Sequence, residues 1–217
     1  MTRALFVVDV QNDFTEGGAL GITGGARVAQ AVTDHLRAHR DRYGLVVASR
    51  DWHSAEGDNG GHFSHEPDFV DSWPPHCVQG SPGAGYHPAF DTSLVDVHVV
   101  KGDGAPAYSI FEGLTTDGRT VAQLLDDEGV DEVEIVGLAT DHCVRESALG
   151  AVALGRRVAV LTDLIAGVAA ASSAAALDDL RSAGVETRDV DARRAAVAPA
   201  VVDGVTDSPS TSTGAPA

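Results

Sequence analysis

The chain has 217 residues, which is long enough for one domain with a sizeable core or for two small ones. Its formal net charge of −17 argues against a nucleic-acid partner, whose phosphates need a basic face, and against binding to anionic membranes. No apolar run approaches the roughly 20 residues that span a bilayer, and charged residues come too early for a secretory signal, so we expect a cytoplasmic protein. Two cysteines in such a protein are not expected to form a structural disulfide and are candidate reactive thiols or metal ligands.

Apolar runs alternate with helical patterns along the chain. Strands are predicted at residues 3–10, 45–51, 95–101, 131–137, 157–163 and 185–190. Helices are predicted at residues 25–40, 119–128, 173–183 and from about 140 onward, where Thr140 or Asp141 can cap the first turn. This alternation predicts a three-layer α/β/α fold with a mostly parallel, six-stranded sheet whose last strand lies at an edge.

The chain is expected to form a single domain over residues 1–200. Its end, "TDSPSTSTGAPA", has too little apolar content to pack, so residues 201–217 are predicted to be a disordered tail. Residues 51–94 are also unlike the rest, because they are rich in Gly, Pro and His and only weakly periodic. A loop of this length in a compact domain is usually functional.

Four chemically competent side chains stand at or just after the ends of predicted strands. They are Asp9, Asp51, Lys101 and Cys143. In open parallel α/β sheets, ligands bind beyond the carboxyl ends of the strands. These four residues, far apart in sequence, are therefore predicted to meet at one edge of the sheet.

Lys101 is the only lysine in a chain that has 15 lysines and arginines together. A lone lysine at a strand end indicates a need for a compact ammonium group, since Arg differs in shape, hydration and titration. The alternative is the chance survival of one surface lysine.

Cys143 lies in the predicted first turn of a helix, where backbone N–H groups and the helix dipole favour a thiolate. Taken alone, such a cysteine is more often a packing residue. Beside a carboxylate that takes its proton and an ammonium that holds the anion, it becomes a candidate nucleophile, with Asp9 and Lys101 as partners. Cys77, in "WPPHCVQG", lacks such partners and is interpreted as structural.

Histidines in the long segment suggest a metal site. Asp51 and His53 are two residues apart, so both side chains can face one point from an extended chain. The candidate ligand set is Asp51, His53, His62 and His76, three imidazoles and one carboxylate, which suits a borderline divalent ion. The spacing matches no closed zinc module, and His65 and His87 compete with His62, so structural histidines remain the alternative.

Several of these motifs occur together, in order, in a known family. They are "VVDVQNDF", "SRDWH", "GGHF", "WPPHCVQGSPGA", "VVKGDGAPAYSIFEG" and "IVGLATDHCV". With them, residues 1 to about 190 resemble the nicotinamidase/pyrazinamidase branch of the isochorismatase-like cysteine hydrolases. The DxH motif together with "WPPHC" separates this branch from its metal-free relatives.

The resemblance implies an amidohydrolase that converts nicotinamide to nicotinate and ammonia through a cysteine thioester, in NAD salvage, and that also acts on pyrazinamide. It implies a triad of Asp9, Lys101 and Cys143. It implies one divalent metal ion on Asp51, His53, His62 and His76, with zinc expected first and iron or manganese as alternatives. It further implies a cis peptide before Ala139, an oxyanion hole from the Ala139 and Cys143 N–H groups, and a ring pocket of Phe14, Trp73, Tyr108 and His142.

Two rival functions remain at this point. Another amidohydrolase of the same fold, such as a carbamoyl-amide hydrolase, would keep the triad and need no metal. A catalytically silent binding module would have lost a triad member, and none is missing from the sequence. The sequence is compatible with a monomer and with a homo-oligomer.

Overall fold

The computed structural model describes residues 2–190. The strands are β1 (Thr2–Val8), β2 (Leu45–Asp51), β3 (Val97–Lys101), β4 (Leu114–Thr115), β5 (Val130–Leu138), β6 (Arg157–Ala166) and β7 (Glu186–Arg188). The helices are α1 (Gly25–His39), α2 (Val121–Asp127), α3 (Arg145–Ala153) and α4 (Ala170–Ser182). The predicted tail at 201–217, and the last ten residues of the predicted domain, lie outside the described residues.

The strands form one sheet in the order β4-β3-β2-β1-β5-β6-β7. All neighbouring pairs are parallel except β3 and β4, which are antiparallel. The predicted fold class and the six predicted strands are confirmed, but the predicted strand count is one too low. The missed strand, β4, has only two residues, which is too short to produce any periodic pattern.

The core lies in two layers, one on each face of the sheet. Alternate residues of β1 point to opposite faces, as a strand buried on both sides requires, so Phe6 lies in one layer and Leu5 in the other. Helix α1 and part of the segment between β2 and β3 cover one face, and α2, α3 and α4 cover the other. One apolar stripe of α1, made of Val28, Val32 and Leu36, is fully buried.

The carboxyl ends of the central strands meet at one edge, as the sequence predicts. Asp51 and Lys101 are opposite each other in the parallel register of β2 and β3. The long segment between these two strands returns to this edge, where a bridge pairs Gln11 with Tyr86. Among residues 2–190, no helix is long and apolar enough to cross a membrane.

Candidate active site

Lys101 lies at the centre of a buried polar cluster at the carboxyl edge of the sheet. Its Nζ is 3.0 Å from Asp9 Oδ2 and 3.5 Å from Cys143 Sγ, and it donates to the Ala107 carbonyl at 3.0 Å. It also makes a close ion pair with Asp51 Oδ1. One carboxylate oxygen of Asp9, one of Asp51 and the sulfur of Cys143 all lie within 4.8 Å of one another. The three residues of the predicted triad therefore lie together, and Asp51 is the fourth residue of the cluster.

The two carboxylates of this cluster differ in basicity. Burial raises the pKa of Asp9 above its ordinary value, and the Lys101 ammonium offsets this only in part. Burial acts on Asp51 in the same direction, but Lys101 and His53 outweigh it and hold the pKa of that carboxyl well below its usual range. Burial alone would lower the pKa of Lys101, yet Asp51 and Asp9 hold it well above its ordinary value. Asp9 is thus the better proton acceptor and Asp51 the permanent counter-ion.

Two residues that the sequence reasoning missed fix these carboxylates. The Ser49 hydroxyl donates to Asp9 Oδ1 at 2.7 Å, which leaves Oδ2 directed at Lys101. The Gln11 amide holds the backbone of Asp51 at both ends, accepting from its N–H at 2.8 Å and donating to its carbonyl at 2.9 Å. Ser49 lies two residues before Asp51 within β2, and that spacing is a signal available in the sequence, because alternate residues of an extended chain share one side. Gln11 offers no such signal, since the chain turns at Asp9, whose φ is 47°.

Cys143 lies in a five-residue π-helical turn, Thr140–Val144, that runs directly into α3. The peptide bond between Leu138 and Ala139 is cis, as the resemblance implied. The predicted capping by Thr140 or Asp141 is wrong, because neither side chain caps this turn. Asp141 instead accepts hydrogen bonds from the N–H groups of Val168 and Ala169, at 3.0 and 3.2 Å, and so ties the turn to the start of α4.

The position of Cys143 at the start of a helix was expected to favour a thiolate, but its buried surroundings favour the neutral thiol. Burial raises the pKa of the Cys143 thiol well above its ordinary value, and the Lys101 ammonium opposes this only in part. The resting side chain is therefore a neutral thiol. It needs a base at the moment of attack, and Asp9 stands beside it.

Three imidazoles converge next to the triad. The ligand atoms of His53, His62 and His76 lie within 4.8 Å of one another. Asp51 Oδ2 is 3.7 Å from Nε2 of His53 and 3.9 Å from Nε2 of His76. Asp51 therefore uses one oxygen for Lys101 and directs the other at the imidazoles. His65, the rival of His62, is exposed on the surface.

The outer ring nitrogens of two of these histidines are held by backbone carbonyls. His53 Nδ1 donates to Gly102 at 2.7 Å and His76 Nδ1 to Pro74 at 2.8 Å. In a neutral imidazole that donates from Nδ1, Nε2 carries a free lone pair, and His53 Nε2 is buried without a hydrogen-bond partner among the described residues. Gly102 permits this approach, because a Cβ there would lie 2.6 Å from the His53 ring. Metal-ligating imidazoles are commonly oriented in this way, so the residues present fit a divalent ion.

A cavity of about 270 Å³ opens over Cys143 and the imidazole cluster. Its lining includes the four aromatic side chains that the resemblance implied, Phe14, Trp73, Tyr108 and His142. The Trp73 indole N–H donates to the Tyr108 hydroxyl at 3.0 Å, and the Trp73 ring stands perpendicular to His142 with centroids 5.1 Å apart. Such walls suit a flat aromatic ring.

Known proteins are similar to this chain in sequence and fold. A nicotinamidase/pyrazinamidase of Mycobacterium tuberculosis is 52% identical over 184 residues, which cover 85% of this chain and 97% of that protein. A pyrazinamidase of Pyrococcus horikoshii, solved in complex with zinc, superposes with a TM-score of 0.73 at 34% identity, over 87% of this chain and 99% of the other. A protein of L. infantum, solved in complex with nicotinate, gives a TM-score of 0.75 at 32% identity, over 88% and 94% of the two chains.

The profile of the isochorismatase domain matches residues 3–192, which is nearly all of the described chain. The chain belongs to the isochorismatase domain family.

Proposed function

We propose that this protein is a nicotinamidase, which hydrolyses nicotinamide to nicotinate and ammonia and also accepts pyrazinamide. The observation that carries this proposal is one aromatic-walled cavity that is lined by the Cys143 thiol and by His62 and His76 of the imidazole cluster. The relatives support it, because the M. tuberculosis protein, 52% identical, is a nicotinamidase/pyrazinamidase. NAD salvage in the cytoplasm remains the predicted setting.

In the first half of the reaction, Asp9 accepts the proton of the Cys143 thiol while Lys101 stabilises the developing thiolate. The sulfur attacks the carboxamide carbon, and the C=O electrons move onto the oxygen. The N–H groups of Ala139 and Cys143 are the proposed donors to this oxyanion. Collapse of the tetrahedral intermediate breaks the C–N bond, and the leaving nitrogen takes the proton from Asp9 and departs as ammonia.

In the second half, Asp9 is again a carboxylate and takes a proton from water. The hydroxide attacks the thioester and the C–S bond breaks, which gives nicotinic acid and the thiolate. Asp9 returns its proton to the thiolate, and nicotinic acid loses its own proton to solvent and leaves as nicotinate. Asp9 thus acts as base and then as acid in each half, which suits a carboxyl whose pKa is raised by burial.

Phe14, Trp73, Tyr108 and His142 are proposed to hold the pyridine ring, and Asp51, His53, His62 and His76 to hold one divalent ion. Aromatic walls recognise any six-membered ring, so they do not distinguish nicotinamide from benzamide. When bound, the ion supplies an acceptor position for the ring nitrogen, directly or through a water. Zinc is the first expectation, in keeping with the zinc complex of the P. horikoshii relative, and iron and manganese are the alternatives.

The test is steady-state ammonia release from nicotinamide, benzamide and picolinamide by the metal-loaded protein. We expect a lower kcat/KM for benzamide, which lacks the ring nitrogen. The loss should correspond to about 1–3 kcal/mol of transition-state stabilisation, which is the contribution of one hydrogen bond or more. Picolinamide should also be poor, because its nitrogen lies beside the carboxamide. Chelation should weaken nicotinamide binding more than it slows alkylation of Cys143.

Absence of ammonia release from nicotinamide would overturn the proposal. Turnover of a carbamoyl amide without metal would favour the rival amidohydrolase. Equal kcat/KM for nicotinamide and benzamide would restrict the imidazole cluster to a structural role.

A further inference from the structure

Two exposed apolar side chains stand at the mouth of the cavity and have no part in the reaction above. Phe69 is 59% exposed and Val168 is 54% exposed, yet both line the same cavity as Cys143. Single exposed apolar residues are ordinary on protein surfaces. These two differ because they come from distant segments, face one cavity, and stand on loops that carboxylates hold in place.

The turn that carries Phe69 is fixed by Asp68. Its Oδ1 accepts hydrogen bonds from the N–H groups of Val70, Asp71 and Ser72, at 3.0, 3.0 and 2.9 Å. Phe69 has a φ of 59°, a conformation that is uncommon for a bulky side chain, and its ring lies edge-on to Trp73 at 6.1 Å. The turn therefore places this ring at the cavity instead of leaving it free in solvent.

Val168 is held by a different carboxylate. Its N–H donates to Asp141, two residues before Cys143, so its position is linked to the turn that carries the thiol. Phe69 and Val168 together are called the rim below.

Nicotinamide leaves part of the cavity unfilled toward the exposed rim. Its nine non-hydrogen atoms at protein packing density occupy on the order of 150 Å³, whereas the open cavity, which would also hold the ion, has about 270 Å³. In the proposed function the carboxamide on ring carbon 3 faces Cys143 and ring nitrogen 1 faces the imidazoles. Ring position 5 is meta to both, so a substituent there points away from both anchors, which are buried.

We propose that the rim binds apolar substituents at ring position 5, so that the enzyme hydrolyses 5-alkylnicotinamides as well as nicotinamide. Phe69 and Val168 are then specificity-determining residues, and the chemistry at the carboxamide is unchanged. This inference rests on the proposed function.

The experiment compares kcat and KM for nicotinamide and 5-methylnicotinamide, by ammonia release, in the wild type and three variants. Phe69→Ala and Val168→Ala remove the rim, and Val70→Ala is the matched control. Val70 belongs to the same turn as Phe69 and is 68% exposed, but it does not line the cavity. Melting curves establish that each variant is folded.

In the wild type, kcat/KM for 5-methylnicotinamide should equal or exceed that for nicotinamide. Each rim variant should lower the kcat/KM for 5-methylnicotinamide relative to that for nicotinamide by about fourfold, which is the effect of one buried methyl group. The change should come mainly from a higher KM for 5-methylnicotinamide. Val70→Ala should leave the ratio unchanged.

The role of the rim would be overturned by a ratio that is the same in all four proteins, or by a wild type that does not hydrolyse 5-methylnicotinamide. In either case, turnover of nicotinamide would still uphold the proposed function. A fall in only one rim variant would remove the other side chain from the proposal. Ammonia release from neither amide would overturn the proposed function itself.

Discussion

Burial raises the pKa of both thiols in the chain, Cys77 and Cys143, above the ordinary value. Acidity of the thiol therefore does not distinguish a nucleophile from a packing residue here. The surroundings do, because the Cys143 sulfur lies 3.5 Å from the Lys101 ammonium and beside Asp9, whereas Cys77 is packed in an apolar layer of the core. A neutral thiol with an adjacent base is enough for attack once substrate is present.

Cys143→Ala should abolish ammonia release from nicotinamide, by about a thousandfold or more, because the nucleophile is lost with little change in volume. Cys77→Ala is the matched control, with the same atoms removed from the other buried cysteine, and it should keep most of the activity. Steady-state assays of both folded variants decide the matter. Similar activity in the two would contradict the assignment of the nucleophile.

Lys101→Arg should lose activity by about tenfold or more although the charge is kept. Four groups surround Nζ (Asp9, Asp51, Cys143 and the Ala107 carbonyl), and a planar guanidinium cannot occupy that compact position. Arg37→Lys, at a largely exposed ion pair with Asp91, is the control for a basic-residue exchange. Both variants are assayed for kcat/KM, and near-wild-type turnover by Lys101→Arg would mean that the lone lysine is incidental.

His62→Ala should reduce the metal content of the purified protein more than His65→Ala. His62 is buried in the imidazole cluster, whereas His65, three residues later, is exposed and lines a different concavity. Metal per chain is measured by elemental analysis after dialysis against a defined metal buffer. The reverse order would reassign the third imidazole to His65.

At the scale of elements, the strands and helices were predictable because each is a run of apolar residues or an amphipathic stripe. The carboxyl ends of β1, β2, β3 and β5 then had to share one edge, which brought Asp9, Asp51, Lys101 and Cys143 together. The π-helical turn at Cys143 was not predictable, since capping preferences describe α-helices. Nor was the pairing of Asp51 with Lys101, because it depends on the register of β2 against β3, which the sequence pattern does not specify.

A second buried polar chain joins α1, the segment after it and β5, far from the proposed chemistry. The His35 imidazole donates from Nε2 to the Tyr43 hydroxyl at 2.6 Å, and that hydroxyl donates to Glu134 at 2.6 Å. Glu134 also pairs with Arg188 of β7. Burial, aided by the nearby charge of His39, lowers the pKa of His35 to about 4, so this imidazole is neutral in the fold at neutral pH.

The free energy of unfolding should therefore fall as the pH falls from about 6.5 toward about 4. In that window the unfolded chain binds a proton at His35 and the folded chain does not, so acid favours unfolding. His35→Gln retains an N–H donor for Tyr43 but cannot be protonated, and it should reduce the slope. Urea unfolding at a series of pH values measures this, and parallel slopes in wild type and variant would contradict it.

At the scale of the whole molecule, substrate and product of the proposed reaction experience the formal charge of −17 differently. Nicotinamide is neutral at pH 7, whereas nicotinate is an anion. The only lysine is already paired with Asp9 and Asp51, so it does little to offset a long-range negative field. That field should leave substrate entry unaffected and help to expel the product.

Product inhibition by nicotinate should consequently strengthen as salt is added. Raising the ionic strength from about 0.01 M to 0.15 M shortens the Debye length from about 30 to 8 Å, which screens repulsion across the molecule but hardly alters contacts inside the cavity. The inhibition constant of nicotinate should fall by about threefold for each kT of electrostatic repulsion energy that the salt removes. The KM of neutral nicotinamide, measured in the same NaCl series at fixed metal concentration, is the internal control and should stay nearly constant. A nicotinate inhibition constant that is independent of salt, or that rises with it, would show that local groups in the cavity, and not the net charge, govern product release.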